Sequence, residues 1–279
     1  MTDRYAVIGH PVAHSKSPRI HAAFAAQTGQ DLVYDRVEGR VADFEAQVRE
    51  LVAQGLRGLN VTLPFKERAL ALAGAQTRSP AAVVAGAANT LWFEGEVVHA
   101  DNTDGCGLMA DLQGRLGWPL AGARILVLGA GGAVRGILGP LAAAHPACLQ
   151  ICNRTLDRAQ QMVLAMGPLL PSSGGGLSVL EPHQLQHQPP FDLVVNGTSA
   201  SLSGETLTLP PNLFHRHAQA YDLAYRAEGP TVFMEQARAA GVRHVEDGLG
   251  MLVEQAADAF QRWRGVRPRT APVLAALRA

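Results

Sequence analysis

Arg124-Ile125-Leu126-Val127-Leu128-Gly129-Ala130-Gly131-Gly132-Ala133 is the stretch on which the fold turns. Ile125 to Leu128, after Arg124, is a continuous apolar run of strand length, the pattern of a strand covered on both faces in a parallel sheet. Its second half is a glycine-rich turn that opens a helix. Strand, glycine turn and helix in that order bring bare backbone N–H groups and the positive end of a helix to one point, which is where a pyrophosphate is held. Val134 stands in place of the third glycine of the common fingerprint, so the motif is incomplete.

The next strand pattern, Cys148 to Cys152, ends at Asn153-Arg154-Thr155, 24 residues after Gly129 and followed by Arg158. An NAD enzyme usually places an acidic side chain there to accept from the ribose 2′-hydroxyl. Arginine only donates, and its planar fork matches a phosphate, so NADP(H) is the expected cofactor. The plainer alternative makes Arg154 and Arg158 solvated charges at a helix start. Leu193 to Asn196 and Ala220 to Leu223 read as further strands of this unit.

Upstream, Tyr5 to Gly9, Leu32 to Val37 and Leu59 to Val61 read as strands, each followed by a loop and a helix candidate. Thr90 to Phe93 and Val97 to Ala100 flank Glu94-Gly95-Glu96 as a hairpin. Ser17 before Pro18 predicts a helix start with the serine as N-cap. Strands alternating with helices predict an α/β class. Met251 to Trp263 has helical periodicity and is expected to pack back onto the first domain, whereas Ser172 to Gly176 reads as a flexible surface loop.

The 279 residues suit two domains. Lysine plus arginine number 24 and aspartate plus glutamate number 24, so no net field is available to hold nucleic acid or an anionic membrane. No apolar run approaches membrane-spanning length. Cys106, Cys148 and Cys152 are an odd count without framework spacing, which points to a reducing compartment and a cytoplasmic location. Cys148 and Cys152 share a strand face and read as small buried hydrophobes. His183 and His187 have helical spacing, but Pro182, Pro189 and Pro190 bracket them with no acidic partner to complete a site. His10 and His14 are interrupted by Pro11. No metal is expected.

A dinucleotide carries only the redox half of a reaction, so the first domain should supply substrate binding and proton transfer. Its polar clusters fall where strands end: His14-Ser15-Lys16-Ser17-Pro18, Asn60-Val61-Thr62-Leu63-Pro64-Phe65-Lys66, Asn89-Thr90, and Asn102-Thr103-Asp104-Gly105. Ligands of open parallel sheets bind beyond the carboxyl ends of the strands. Ser15 and Ser17 suit a carboxylate at a helix N-terminus. Thr62, Asn89 and Asp104 can bond hydroxyls of a polyol ring, and Asp104 can hold Lys66 so that its proton moves in one direction. Taken singly, each has a bland explanation: a cap, a turn residue, a solvated lysine.

Together these motifs, with Asp247-Gly248-Leu249-Gly250-Met251-Leu252, resemble the shikimate dehydrogenase family in order and spacing from residue 5 to about 260. The resemblance implies two domains separated by a cleft. A substrate-binding domain with a mainly parallel sheet would span 1–104, completed by helices within 250–279, and a Rossmann-like NADP-binding domain would span 105–249. It implies NADPH-dependent reduction of 3-dehydroshikimate to shikimate. Lys66 and Asp104 would be the acid/base pair, and Ser15 and Ser17 would take the carboxylate. Thr62, Asn89, Asp104, Tyr225 and Gln255 would be further substrate contacts. Gly129, Ala130, Gly131, Gly132, Ala133, Asn153, Arg154, Thr155 and Arg158 would hold the cofactor, joined by Leu223, Gly248 and Met251. Pro80 departs from the acidic residue that some members carry near the cofactor, and Leu223 from a methionine. Three rivals remain: a quinate or NAD-using enzyme of the same family, a catalytically silent NADP-binding sensor, and a methylenetetrahydrofolate dehydrogenase, whose pterin has no use for two serines. A small molecule is the expected partner, and self-association into a homodimer stays open.

Overall fold

A computed structural model describes residues 2–169, 176–226 and 228–279. The loop expected at Ser172 to Gly176 lies outside them except for Gly176. The chain forms two compact units: 1–108 with 252–279, and 109–251.

Unit 1 runs β1 (Asp3–Gly9), α1 (Ser17–Thr28), β2 (Leu32–Glu38), α2 (Phe44–Ala53), β3 (Leu56–Val61), α3 (Lys66–Leu72), α4 (Pro80–Ala85), β4 (Thr90–Glu94), β5 (Val97–Asp101) and α5 (Asp104–Met109). Its sheet has the order β2-β1-β3-β4-β5. The first three strands are parallel and the β3–β4 and β4–β5 pairs antiparallel. Glu94 pairs with Val97 across the hairpin, and Gly95 takes the positive φ that a tight turn needs. β1 alternates its side chains between two cores. Ala6 and Ile8 join Phe44, Leu59, Phe65 and Leu91, while Tyr5 and Val7 join Val12 and Tyr34.

The helix predicted from Ser17-Pro18 is present, but Ser17 is not its side-chain cap. It lies inside the first turn, and its N–H donates to Ser15 Oγ at 3.3 Å. Ser79 does cap α4, accepting from Ala82 N–H, and so fixes Pro80 as a first-turn residue.

In unit 2 the order is β6 (Arg124–Leu128), α6 (Gly132–Ala143), β7 (Cys148–Cys152), α7 (Leu156–Met166), β8 (Leu177–Leu180), β9 (Phe191–Asn196), α8 (Ala200–Ser203), β10 (Phe214–Asp222), α9 (Val232–Ala239) and β11 (His244–Glu246). Its six strands are all parallel in the order β11-β10-β9-β6-β7-β8. β8 and β11 were not expected, being four and three residues long without a clear apolar run. Leu223 lies just beyond its expected strand.

Ala110–Arg115 forms a π-helical turn that places Asp111 in the interior. Its carboxylate accepts from Arg115 Nε at 2.5 Å and from the Tyr221 hydroxyl at 2.7 Å. Gly250 packs on it so closely that a Cβ there would lie 2.2 Å from Oδ1.

α10 (Leu249–Arg264) and α11 (Ala271–Arg278) end the chain. From α10, Trp263 stacks on Tyr5 at 4.8 Å and donates from Nε1 to Leu91 O at 3.1 Å. Gly58 makes room for it: a Cβ there would sit 2.6 Å from the indole nitrogen.

His21 of α1 is fully buried in the same aromatic group, stacked on Tyr34 at 4.1 Å and 4°. Its ring nitrogens make no hydrogen bond, and the nearby Asn60 offsets the burial only in part, so the pKa is pushed down to about 3. Because this lies below the unfolded value of 6.5, unfolding takes up a proton below neutrality. The contribution is intact above pH 6.5 and declines as the pH falls towards 3. Moving from pH 7 to pH 5 therefore costs about 2 kcal/mol through this group alone. Urea unfolding of the wild type and of His21→Leu at both pH values checks this: the variant should lose about that much less on acidification.

Candidate active site

Lys66 opens α3 just after β3, and Asp104 opens α5 just after β5. Both are more than nine-tenths buried, with Lys66 Nζ 2.5 Å from Asp104 Oδ2. A buried cation is tolerated only beside an anion, and the anion needs its remaining lone pairs filled. Asn89 fills one, donating from Nδ2 to Asp104 Oδ1 at 2.8 Å. The Asp104 N–H donates to Asn102 Oδ1 at 3.1 Å, which fixes the turn carrying the carboxylate.

Gln255 of α10 joins this group. Its Oε1 is 3.2 Å from Asn89 Nδ2 and 3.3 Å from Thr103 Oγ1, and its own Nε2 donates to Leu252 O. Gly107 permits the approach, since a Cβ there would be 2.6 Å from the Gln255 Cβ. Lys66, Asn89, Asp104 and Gln255 are thus brought together from α3, the loop before β4, α5 and α10. Thr103 was not singled out beforehand, although it adjoins Asp104 and bridges Asn89 to Gln255.

Ser15 and Ser17 bond each other, hydroxyl to hydroxyl at 3.1 Å, rather than this group. Arg36 donates twice to the Ser15 carbonyl, at 2.9 and 2.7 Å, and so anchors the serine loop. Thr62 is half-buried with its methyl over Gly9, where a Cβ would lie 2.3 Å away.

In unit 2, β6 and β9 are neighbours from which the strand order departs in opposite directions, and the glycine turn follows β6. Open sheets bind their ligands at this switch point. Gly129 has φ +103°, and a Cβ on it would meet the Gly197 backbone at 2.9 Å. Gly197, after β9, is a lining position that the sequence reading passed over, although Asn196-Gly197 ends an apolar strand. Gly131 is the N-cap of α6, makes no side-chain cap, and has nothing within 4 Å of where a Cβ would be. Gly132 and Ala133 form the first helical turn, Ala130 is buried behind them, and the first N–H groups are open to an approaching phosphate.

Beyond β7, Asn153 Nδ2 donates to Thr155 O at 2.8 Å and shapes the loop that presents Arg154. Arg154 and Arg158 are both exposed. A bare glycine cradle with two exposed arginines at the next strand end fits a dinucleotide carrying an additional phosphate. Leu223 and Gly248 come together after β10 and β11: a Cβ on Gly248 would lie 2.2 Å from Leu223 O. Behind them Asp222 is fully buried and accepts from Ser201 Oγ and Thr231 Oγ1, both at 2.5 Å, and burial pushes its carboxyl up. Tyr225 is half-buried, and Met251 is buried with its N–H donating to the Tyr221 hydroxyl at 3.2 Å.

Among the described residues no group of three His, Cys, Asp or Glu side chains could hold a metal ion. His183 does have an acidic neighbour, Glu181 at 3.5 Å, contrary to the sequence reading, and it lies in a 3-10 turn, Pro182–His187. No helix among the described residues is long and apolar enough to cross a membrane.

A parallel six-stranded sheet with a glycine cradle at its switch point, in one chain with a buried lysine–carboxylate pair, defines a dinucleotide-dependent oxidoreductase. Residues 7–91 match the shikimate dehydrogenase substrate binding domain, and residues 248–278 the shikimate 5′-dehydrogenase C-terminal domain. Shikimate dehydrogenase (NADP(+)) of Methylobacillus flagellatus is 52% identical over 99% of both chains. Among solved structures, the Ael1 enzyme of Pseudomonas putida is 46% identical with a TM-score of 0.89, covering 99% of this chain and 98% of that one. The Thermus thermophilus shikimate 5-dehydrogenase in complex with NADP(H) and shikimate is 34% identical with a TM-score of 0.85, over 99% of each chain. The chain belongs to the shikimate dehydrogenase family.

Proposed function

We propose that this enzyme interconverts 3-dehydroshikimate and shikimate with NADP(H), using unit 1 for substrate and proton transfer and unit 2 for the cofactor. The observation that carries the proposal is the buried Lys66–Asp104 pair, bonded through Asn89 to Gln255. When bound, NADPH supplies the hydride. The ketone carbon becomes a carbinol carbon and its oxygen gains one proton, which Lys66 donates from Nζ while Asp104 accepts a hydrogen bond and keeps the ammonium aimed. In the reverse direction the hydroxyl proton returns to the same nitrogen.

Asn89, Thr62, Gln255 and Asp104 bond the ring hydroxyls. Ser15 and Ser17 turn their hydroxyls from each other to the substrate carboxylate, and Tyr225 adds a further contact. Gly129 to Ala133 cradle the pyrophosphate, Asn153, Arg154, Thr155 and Arg158 take the 2′-phosphate side, and Leu223, Gly248 and Met251 lie along the nicotinamide side. The three free cysteines suit a cytoplasmic enzyme.

The test is turnover of shikimate and of quinate with NADP+ and NAD+, followed by the absorbance of the reduced nicotinamide. Shikimate with NADP+ should be fastest; faster quinate turnover with NAD+ would overturn the assignment, and no turnover at all would leave a binding protein. Arg154→Ala should raise KM for NADP+ about a hundredfold and leave that for NAD+ nearly unchanged, since a charge-assisted phosphate contact contributes about 1.5–3 kcal/mol. Equal weakening of both cofactors would remove Arg154 from 2′-phosphate recognition.

A further inference from the structure

Behind the Lys66–Asp104 pair and Asn89 lie three buried polar side chains in a row, Tyr34, Asn60 and Thr90, to which the proposed mechanism gives no role. Tyr34 of β2 reaches past β1, and its hydroxyl is 2.7 Å from Asn60 Oδ1 on β3. Asn60 Nδ2 is 3.1 Å from Thr90 Oγ1 on β4 and 3.2 Å from Asn89 O. Thr90 Oγ1 is 2.9 Å from Asn89 Oδ1, and Asn89 Nδ2 reaches Asp104. All of these side chains are at least nine-tenths buried, so each polar atom depends on the next.

The direction of the row is fixed at two places by backbone groups. Asn89 O can only accept, so the amide nitrogen of Asn60 must face it, and Oδ1 must face Tyr34. Tyr34 is therefore the donor, and burial raises its phenol well above the ordinary value, so the proton stays in place. At the other end the Thr103 N–H can only donate, to Asn89 Oδ1 at 2.9 Å, so the Asn89 NH2 must face Asp104. Thr90, receiving from Asn60, passes its own proton on to Asn89 Oδ1. Four hydrogen bonds thus run one way, Tyr34 to Asn60 to Thr90 to Asn89 to Asp104, and end on the carboxylate that pairs with Lys66. His21 lies flat on the Tyr34 ring and holds the first member in place.

We infer that Tyr34, Asn60 and Thr90 are positioning residues for the proton transfer: through Asn89 they hold the Asp104 carboxylate, and hence the Lys66 ammonium, in the orientation that the reaction uses. This rests on the function proposed above. Hydrogen bonds aligned in series polarise one another, so the far end of the row contributes to the near end without touching substrate. A purely structural row would do no more than tie β2, β3 and β4 together.

The two outcomes separate in Tyr34→Phe, Thr90→Val and the double variant, both changes being nearly isosteric. Steady-state rates with shikimate and saturating NADP+ are measured well below each melting temperature. Each single variant should lower kcat about tenfold, corresponding to one buried hydrogen bond left unmade. KM for shikimate should stay within about twofold, because the loss falls on the transition state. The double variant should be no slower than the slower single one, since both cut the same row. A lowered melting temperature with unchanged kcat, a loss confined to KM, or losses that multiply in the double variant would each overturn the inference. Turnover by the wild type in the same assay tests the reaction itself: an active wild type with unaffected variants removes the positioning role alone, and an inactive one removes both.

Discussion

Lys66→Ala is expected to lower kcat about a thousandfold, within the range that positioned acid/base groups contribute, with KM for shikimate changed less than about threefold. Lys66 is more than nine-tenths buried, so bulk water does not replace its proton cheaply. The substrate oxygen gains negative charge as hydride arrives, and the ammonium 2.5 Å from Asp104 has its proton ready at that moment. On the mechanism proposed above, the same ammonium offers only one more hydrogen bond in the ground state, and Asn89 and Gln255 would remain to bind the ring. The loss therefore falls on turnover. Removing one member of a buried pair also strands the other, so the variant should melt at lower temperature, and rates must be compared where it is folded. Unchanged turnover would remove Lys66 from the mechanism.

Asp111→Ala should destabilise unit 2 by about 2–3 kcal/mol, since it leaves the buried Tyr221 hydroxyl without its acceptor and a half-buried Arg115 without its main partner. The carboxylate is inaccessible, takes both Arg115 contacts and the Tyr221 hydroxyl, and leaves no space for a side chain at Gly250. Without it the Tyr221 hydroxyl loses its acceptor in the interior, while Arg115 keeps only Glu246 at 3.0 Å. Asp111→Asn retains the shape and an acceptor oxygen, and should recover part of the loss. Denaturant unfolding followed by circular dichroism measures both; an alanine variant as stable as the wild type would mean that the ion pair only breaks even with its desolvation.

The glycine turn between β6 and α6 was legible because its physics is local. An apolar strand running into glycines shows in ten consecutive residues, and the following strand end, Asn153-Arg154, lies at a fixed distance from it. The Lys66–Asp104 pair was suggested by both residues lying at strand ends and singled out by the family resemblance, since nothing between residues 66 and 104 announces a 2.5 Å contact. β8 and β11 escaped because short edge strands carry no periodicity. Ser17 was misread as a cap because Ser-Pro is an ordinary helix start, whereas Ser15 Oγ accepts the Ser17 N–H. Tyr34 escaped for another reason: a strand tyrosine between apolar and charged neighbours reads as ordinary packing, and its partner lies 26 residues away. Gly107 and Gly58 carry no signal in the sequence, because what requires them is a helix distant in the chain that fills the space of their missing side chains.

The return of residues 252–279 to unit 1 has a consequence in time. On the ribosome, strands β1 to β5 emerge first, but the indole of Trp263, which closes over Gly58 and Tyr5, emerges only after all of residues 109–251. At about 5–20 residues per second, that interval lasts roughly 7–30 seconds. Throughout it the first unit presents an unfilled apolar slot along Tyr5, Val7 and Tyr34, and by its end the second unit has every residue it needs. The part of the chain made first is thus the part finished last, and this slot is where a nascent-chain chaperone would find a surface to hold.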